Sequence, residues 1–200
     1  MLSISAKEFL LWKKKQLIKG GNIPSLHILL EIIGGLSHKE LNSSLIDGEK
    51  NLYLQQNLEF IESIWDNHLN HSIPIQYLCG FTFWRDLKLK VSEKVLIPRS
   101  ETELIVDIVL GLFKKNTFEI VFAELGTGSG AISISLALAN PSWKGIATDI
   151  DKNAIKIASE NFINSSNHSN LRFCNGNWWE PLDNFKGEFD LVISNPPYIP

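Results

Sequence analysis

Between residues 119 and 194 the chain alternates short apolar runs with amphipathic stretches, and this alternation limits the fold more than any other feature. The spacing predicts strands at 119–124, 145–149, 171–174 and 189–194, with helices at 129–139 and 152–161. Repeated strand–helix–strand units bury a parallel sheet between layers of helices, joined by right-handed crossovers. The expected fold class is therefore α/β with a doubly wound parallel sheet. Ser100-Glu-Thr-Glu103 opens a further helix ahead of the first strand, expected to reach about residue 115.

The preceding sequence reads differently. Residues 1–72 have helical patterning throughout and predict a small helical-bundle domain. Ser5-Ala-Lys-Glu8 and Ser37-His-Lys-Glu40 are capping boxes. Gly20-Gly21 and Gly34-Gly35 close the first two helices, and a long helix is expected over about 50–70. Residues 73–98 change character. Phe81-Thr-Phe83-Trp84 and the alternating Leu87-Lys-Leu89-Lys-Val91 predict a β-hairpin linker, leaving 99–200 as the sheet domain.

Composition mainly excludes. A net charge of −3 gives no global basic signature for nucleic acid. Cys79 and Cys174 are far apart in sequence, so neither a zinc site nor a disulfide framework is expected. Lys7 and Lys13-Lys14-Lys15 interrupt any N-terminal apolar stretch, and no run has the length of a membrane span. The expectation is a soluble cytoplasmic protein without metal or membrane attachment.

Candidate site residues cluster at predicted strand ends, where ligands of open α/β sheets bind. Glu124-Leu-Gly126-Thr127-Gly128-Ser129-Gly130 follows the first strand and opens a helix. Gly126 permits a tight turn, while Gly128 and Gly130 allow a ligand close to the backbone. Asp149 ends the next strand, 21 residues beyond Gly128, the place of a carboxylate that accepts ribose hydroxyls. The loop alone fits NAD or FAD as well. Asn177 and Trp178 follow the third strand, where they can read and stack an adenine. Asn195-Pro196-Pro197-Tyr198 follows the fourth and discriminates. Asn195 offers a carbonyl acceptor, the prolines give stiff backbone with carbonyls only, and Tyr198 adds a flat face. The set suits a planar group bearing an NH2, as nitrogen methylation requires and hydride transfer does not. Glutamine, adenine and guanine all fit that description.

In the order of these motifs the chain resembles the peptide chain release factor glutamine-N5 methyltransferases, which use S-adenosylmethionine. The resemblance covers essentially the whole chain, including Gln76-Tyr77-Leu78-Cys79-Gly80 and Ile97-Pro98-Arg99-Ser100-Glu101-Thr102-Glu103. It implies a Rossmann-like sheet. It also implies that the loop Gly126, Thr127, Gly128, Ser129 and Gly130 holds the methionine end of the cofactor, with Glu124 among the cofactor-binding residues. Asp149 then takes the ribose, Asn177 and Trp178 the adenine, and Asn195 to Tyr198 the glutamine, with Asn195, Pro196 and Tyr198 catalytic. The implied substrate is the Gly-Gly-Gln loop of class I release factors, docked by residues 1–72. Ser100, Glu124 and Asn177 depart from the family's usual proline, aspartate and aspartate.

Family members continue for several strands past this motif, so the sheet is expected to be incomplete at its C-terminal side. Two rival readings follow. One is a nucleic-acid amino methyltransferase sharing the Asn195–Tyr198 motif. The other is a truncated, non-catalytic release-factor-binding remnant.

Overall fold

The computed structural model describes residues 2–43, 51–114 and 118–196. They form two compact units, divided between Thr82 and Phe83.

The first unit is not all-helical. β1 (Leu2–Ser5) pairs antiparallel with β2 (Asn51–Leu54), Leu2 opposite Leu54 and Ser5 opposite Asn51. Leu52 and Leu54 are buried while Asn51 and Tyr53 are exposed, a period of two that a helical reading of 50–70 misses. The helix expected there starts later. α4 (Leu58–His71) follows the N-cap Asn57, whose side chain accepts the Phe60 N–H at 2.8 Å. Before it come α1 (Ala6–Lys19), α2 (Ile23–Ile32) and α3 (His38–Ser43). Both predicted capping boxes form: Ser5 and Glu8 exchange bonds, as do Ser37 and Glu40. α5 (Ile75–Cys79) buries Ile75 and Cys79 against Phe9, Leu26, Leu30 and Trp65, so this unit runs past residue 72.

A hairpin of β3 (Phe81–Trp84) and β4 (Leu87–Lys90) leads into the second unit. A 3-10 turn at Ser100–Thr102 then enters α6 (Glu103–Leu112). The βα repeat follows: β5 (Val121–Leu125), α7 (Ala131–Ala139), β6 (Lys144–Asp149), α8 (Lys152–Ser165), β7 (Leu171–Asn175) and β8 (Leu191–Ser194). These four strands are parallel in the order β7-β6-β5-β8. The chain thus builds outward from β5 on one side, then returns to add β8 on the other. That reversal opens a crevice at the carboxyl ends of β5 and β8. Phe122, Ile134, Leu136 and Trp143 centre the core, joined by Trp84, Leu87 and Leu89 from the hairpin. No helix among the described residues is long and apolar enough to cross a membrane.

Candidate functional site

The glycine loop leaves β5 at the crevice. Gly126 and Thr127 both donate backbone N–H groups to the Thr148 carbonyl at 2.9 Å, fixing the turn against β6. Gly126, Gly128 and Gly130 have φ of +73°, +56° and +84°, which L side chains adopt at a cost. Their surroundings differ. A Cβ on Gly126 or Gly128 would meet open space, so backbone is accessible there. A Cβ on Gly130 would lie 2.8 Å from Ile134 and 3.1 Å from Ala158. The missing side chain at Gly130 therefore makes room for Ile134 and Ala158 to pack.

Glu124 lies beneath the loop, 3% exposed. Its carboxylate accepts the Thr127 hydroxyl at 2.6 Å and the Ser133 N–H at 3.1 Å. Burial pushes its carboxyl up to about 7, the nearby Asp149 charge adds to the rise, and the bonds from Thr127 and Ser133 oppose it. Thr127 and Ser129 are themselves buried and support the loop from inside.

Asp149 ends β6 half-buried. One carboxylate oxygen accepts the Gly128 N–H at 2.9 Å and the other the Asp151 N–H at 3.0 Å. The acid thus orients the glycine loop as well as facing the crevice. Beyond β7, Trp178 sits at φ +47°, uncommon for a bulky residue. The residue is 51% exposed, so this costly conformation places Trp178 at the surface rather than in the core. Asn177 is exposed beside it, its N–H bonded to Glu180 at 3.2 Å.

These groups share one cavity of about 400 Å³, lined by Gly126, Gly128, Asp149, Asn177, Trp178, Asn195 and Pro196. A smaller recess of about 70 Å³ adjoins it, between the Arg99–Thr102 segment, Glu124, the glycine loop and Asn195. Pro197 and Tyr198 lie outside the described residues. Leu96 and Ile150 add exposed apolar walls to the larger cavity that sequence reading did not single out. Ile150 carried a signal, an apolar residue directly after a strand-end acid. Leu96 carried none. Another cavity, of about 710 Å³, opens around Lys144, Gly145 and Glu188 at the amino ends of the strands. The crevice rule favours the carboxyl-end site, where the glycine loop and Asp149 converge.

Cavity and sheet suit a cofactor with an adenosine part. The volume lies within the usual ligand range of roughly 300–1,000 Å³. Open backbone, a carboxylate and an aromatic face line it in sequence. Fold and site define a Rossmann-like domain with a nucleotide-sized crevice at its strand ends. The methyltransferase small domain family matches residues 104–199. A SAM-dependent methyltransferase from Agrobacterium tumefaciens superposes with a TM-score of 0.50 at 14% identity, covering 58% of this chain and 39% of its own, a likeness of fold.

Two relatives narrow the class. The release factor glutamine methyltransferase of Prochlorococcus marinus is 43% identical over 98% of this chain and 67% of its own length. That of Synechocystis sp. is 37% identical over 98% of this chain and 68% of its own length. The chain belongs to the release factor glutamine methyltransferase family, and spans about two-thirds of the length of these relatives.

Proposed function

We propose that the protein methylates the side-chain amide nitrogen of the glutamine in the Gly-Gly-Gln loop of class I peptide chain release factors, with S-adenosylmethionine as donor. The observation that carries this reading is that Asn195 and Pro196 share one cavity with the glycine loop and Asp149. Acceptors for an amide and a seat for the donor would then lie side by side.

Backbone at Gly126 and Gly128 would hold the methionine end of the donor, in the space their missing side chains leave. Asp149 would accept ribose hydroxyls with the lone pairs that Gly128 and Asp151 do not use. Trp178 and Asn177 would hold the adenine, packed also by Ile150 and Leu96. The bound donor supplies an electrophilic methyl group on a sulfonium centre.

Glutamine's amide nitrogen is a weak nucleophile because its lone pair is delocalised into the carbonyl. Asn195 Oδ1 and the Pro196 carbonyl would accept its two N–H groups, orient it and favour the positive charge that develops there. Asn195 is neutral and takes no proton, so the proton lost from nitrogen leaves to water. Tyr198 follows in sequence as an aromatic clamp for the amide plane. The first unit, residues 1–82, is read as the release-factor docking module.

The test pairs labelled methyl transfer to a class I release factor with calorimetric donor binding. Asn195→Ala is expected to abolish nearly all turnover while changing donor affinity only a few-fold. Equal loss of both, or transfer to RNA or DNA instead of release factor, would sink the reading.

A further inference from the structure

We propose that Thr102 is a positioning residue that sets the plane of the Asn195 carboxamide for the transfer, an inference that rests on the function proposed above. A threonine at a helix N-cap ordinarily spends its hydroxyl on the backbone N–H groups of the first turn. Thr102 holds that place on α6 but makes no side-chain cap bond. Its backbone is already helical, φ −68° and ψ −19°, rather than extended as a capping residue's is. Its hydroxyl instead accepts the Asn195 Nδ2–H at 3.1 Å, across 93 residues of sequence.

That acceptor is tethered on both sides. The Thr102 N–H bonds the Arg99 carbonyl at 3.1 Å, and the same carbonyl receives the Trp84 indole N–H at 2.9 Å. On the other side the Arg85 guanidinium donates to the Glu103 carbonyl at 3.3 Å and pairs with Asp107 at 2.8 Å. Trp84 is 3% exposed and fixed in the core, so the hairpin acts as a back-plate for the Arg99–Glu103 turn.

Asn195 needs such a support. Rotation about its terminal torsion is soft, and its two ends are chemically opposite: Nδ2 only donates, Oδ1 only accepts. An amide substrate presents N–H groups, so Oδ1 must be the end that meets it. With Nδ2 held by Thr102, the carboxamide is in the orientation that supplies Oδ1. A misplacement of about 1 Å near reacting atoms costs on the order of 100-fold in rate.

The experiment uses the full chain with Thr102→Val, which keeps shape but removes the hydroxyl, and Thr102→Ser, which keeps the hydroxyl. Side-chain NH2 resonances of Asn195, assigned by their loss in Asn195→Ala, read the contact directly and need no turnover. Kinetics on a release factor and calorimetry with S-adenosylmethionine accompany them. The expected result is shifted Asn195 NH2 resonances and a roughly 10- to 100-fold fall in kcat for Thr102→Val, with KM and donor affinity within about two-fold. Thr102→Ser restores most of both readouts, and Thr102→Val adds no further loss to Asn195→Ala. Unmoved resonances in Thr102→Val, or equal loss in Thr102→Ser, would overturn the inference. Failure of the functional reading looks different: the unaltered chain would methylate no release factor, while the resonances still report whether Thr102 holds Asn195.

Discussion

Asn161 is a buried polar group that ties separate parts of the second unit together. It is 1% exposed on α8, and its carboxamide is used at both ends. Oδ1 accepts the Lys90 N–H at 2.7 Å, while Nδ2 donates to the Lys90 carbonyl at 3.1 Å and the Ser129 carbonyl at 2.9 Å. One side chain thus joins three pieces of backbone: β4, α8 and the end of the glycine loop. Asn161→Ala leaves three backbone groups without a partner. A buried group so orphaned costs about 1–3 kcal/mol. The two Lys90 groups lie nearer solvent and take the low end, whereas the Ser129 carbonyl is enclosed. The expected loss is about 3–5 kcal/mol, a large share of the roughly 5–15 kcal/mol that holds a domain together.

Urea and thermal melts of Asn161→Ala test this, with Lys156→Ala on the exposed side of α8 as control. The control should stay within about 0.5 kcal/mol of the parent. At about 2–4 °C per kcal/mol, the midpoint of Asn161→Ala should fall by about 6–20 °C. S-adenosylmethionine affinity should fall as well, because the Ser129 carbonyl loses its tether. A change under about 1 kcal/mol would refute the reasoning, since water would then be replacing the carboxamide at no cost.

The glycines give a contrast: Gly130→Ala should cost about 2–4 kcal/mol in a urea melt, from left-handed strain plus the clash with Ile134 and Ala158, whereas Gly126→Ala should cost only the strain, about 1–2 kcal/mol. Because burial raises the Glu124 carboxyl to about 7, the folded chain keeps a proton that the unfolded chain releases above its ordinary 4.5. Stability should therefore fall as pH rises between these values and level off above, a slope that Glu124→Gln should flatten. His27 is shifted the other way, below 6.5, by burial, then by the Lys13 charge at 2.6 Å and by His38. Its contribution should be present above about pH 6.5 and lost as pH falls, and a melt of His27→Gln against pH should lack that slope.

Sequence reading succeeded where the signal was local. Alternating apolar runs gave the four parallel strands, because fully buried strands leave continuous apolar stretches. Glycines and a strand-end acid marked the crevice for the same reason: turn geometry demands particular residues at particular positions. It failed where a short strand imitated a helix. Leu54 and Leu58 are four apart and look like successive helical turns, yet Leu52 and Leu54 share one face of β2. Asn57 was the correct start signal for α4, an N-cap placed between the two. Asn161 was read as the end of a helix that in fact continues to Ser165. Its three bonds reach residues 71 and 32 positions away, which no window along the chain can display.

The same limit explains why the hairpin read as a linker. Its alternation of leucine and lysine says only that one face is covered, not by what. In the fold Leu87 and Leu89 enter the sheet domain's core beside Ile134 and Leu136. Its polar groups then reach both halves of the crevice: Lys90 through Asn161 to the glycine loop, and Trp84 and Arg85 through the Arg99–Glu103 turn to Asn195. A transfer site needs donor and acceptor seats fixed relative to one another, and β5 and β8 alone leave their following loops free to diverge. Residues 83–103 bond to both loops, so in the transfer site proposed above they would hold the two seats in register.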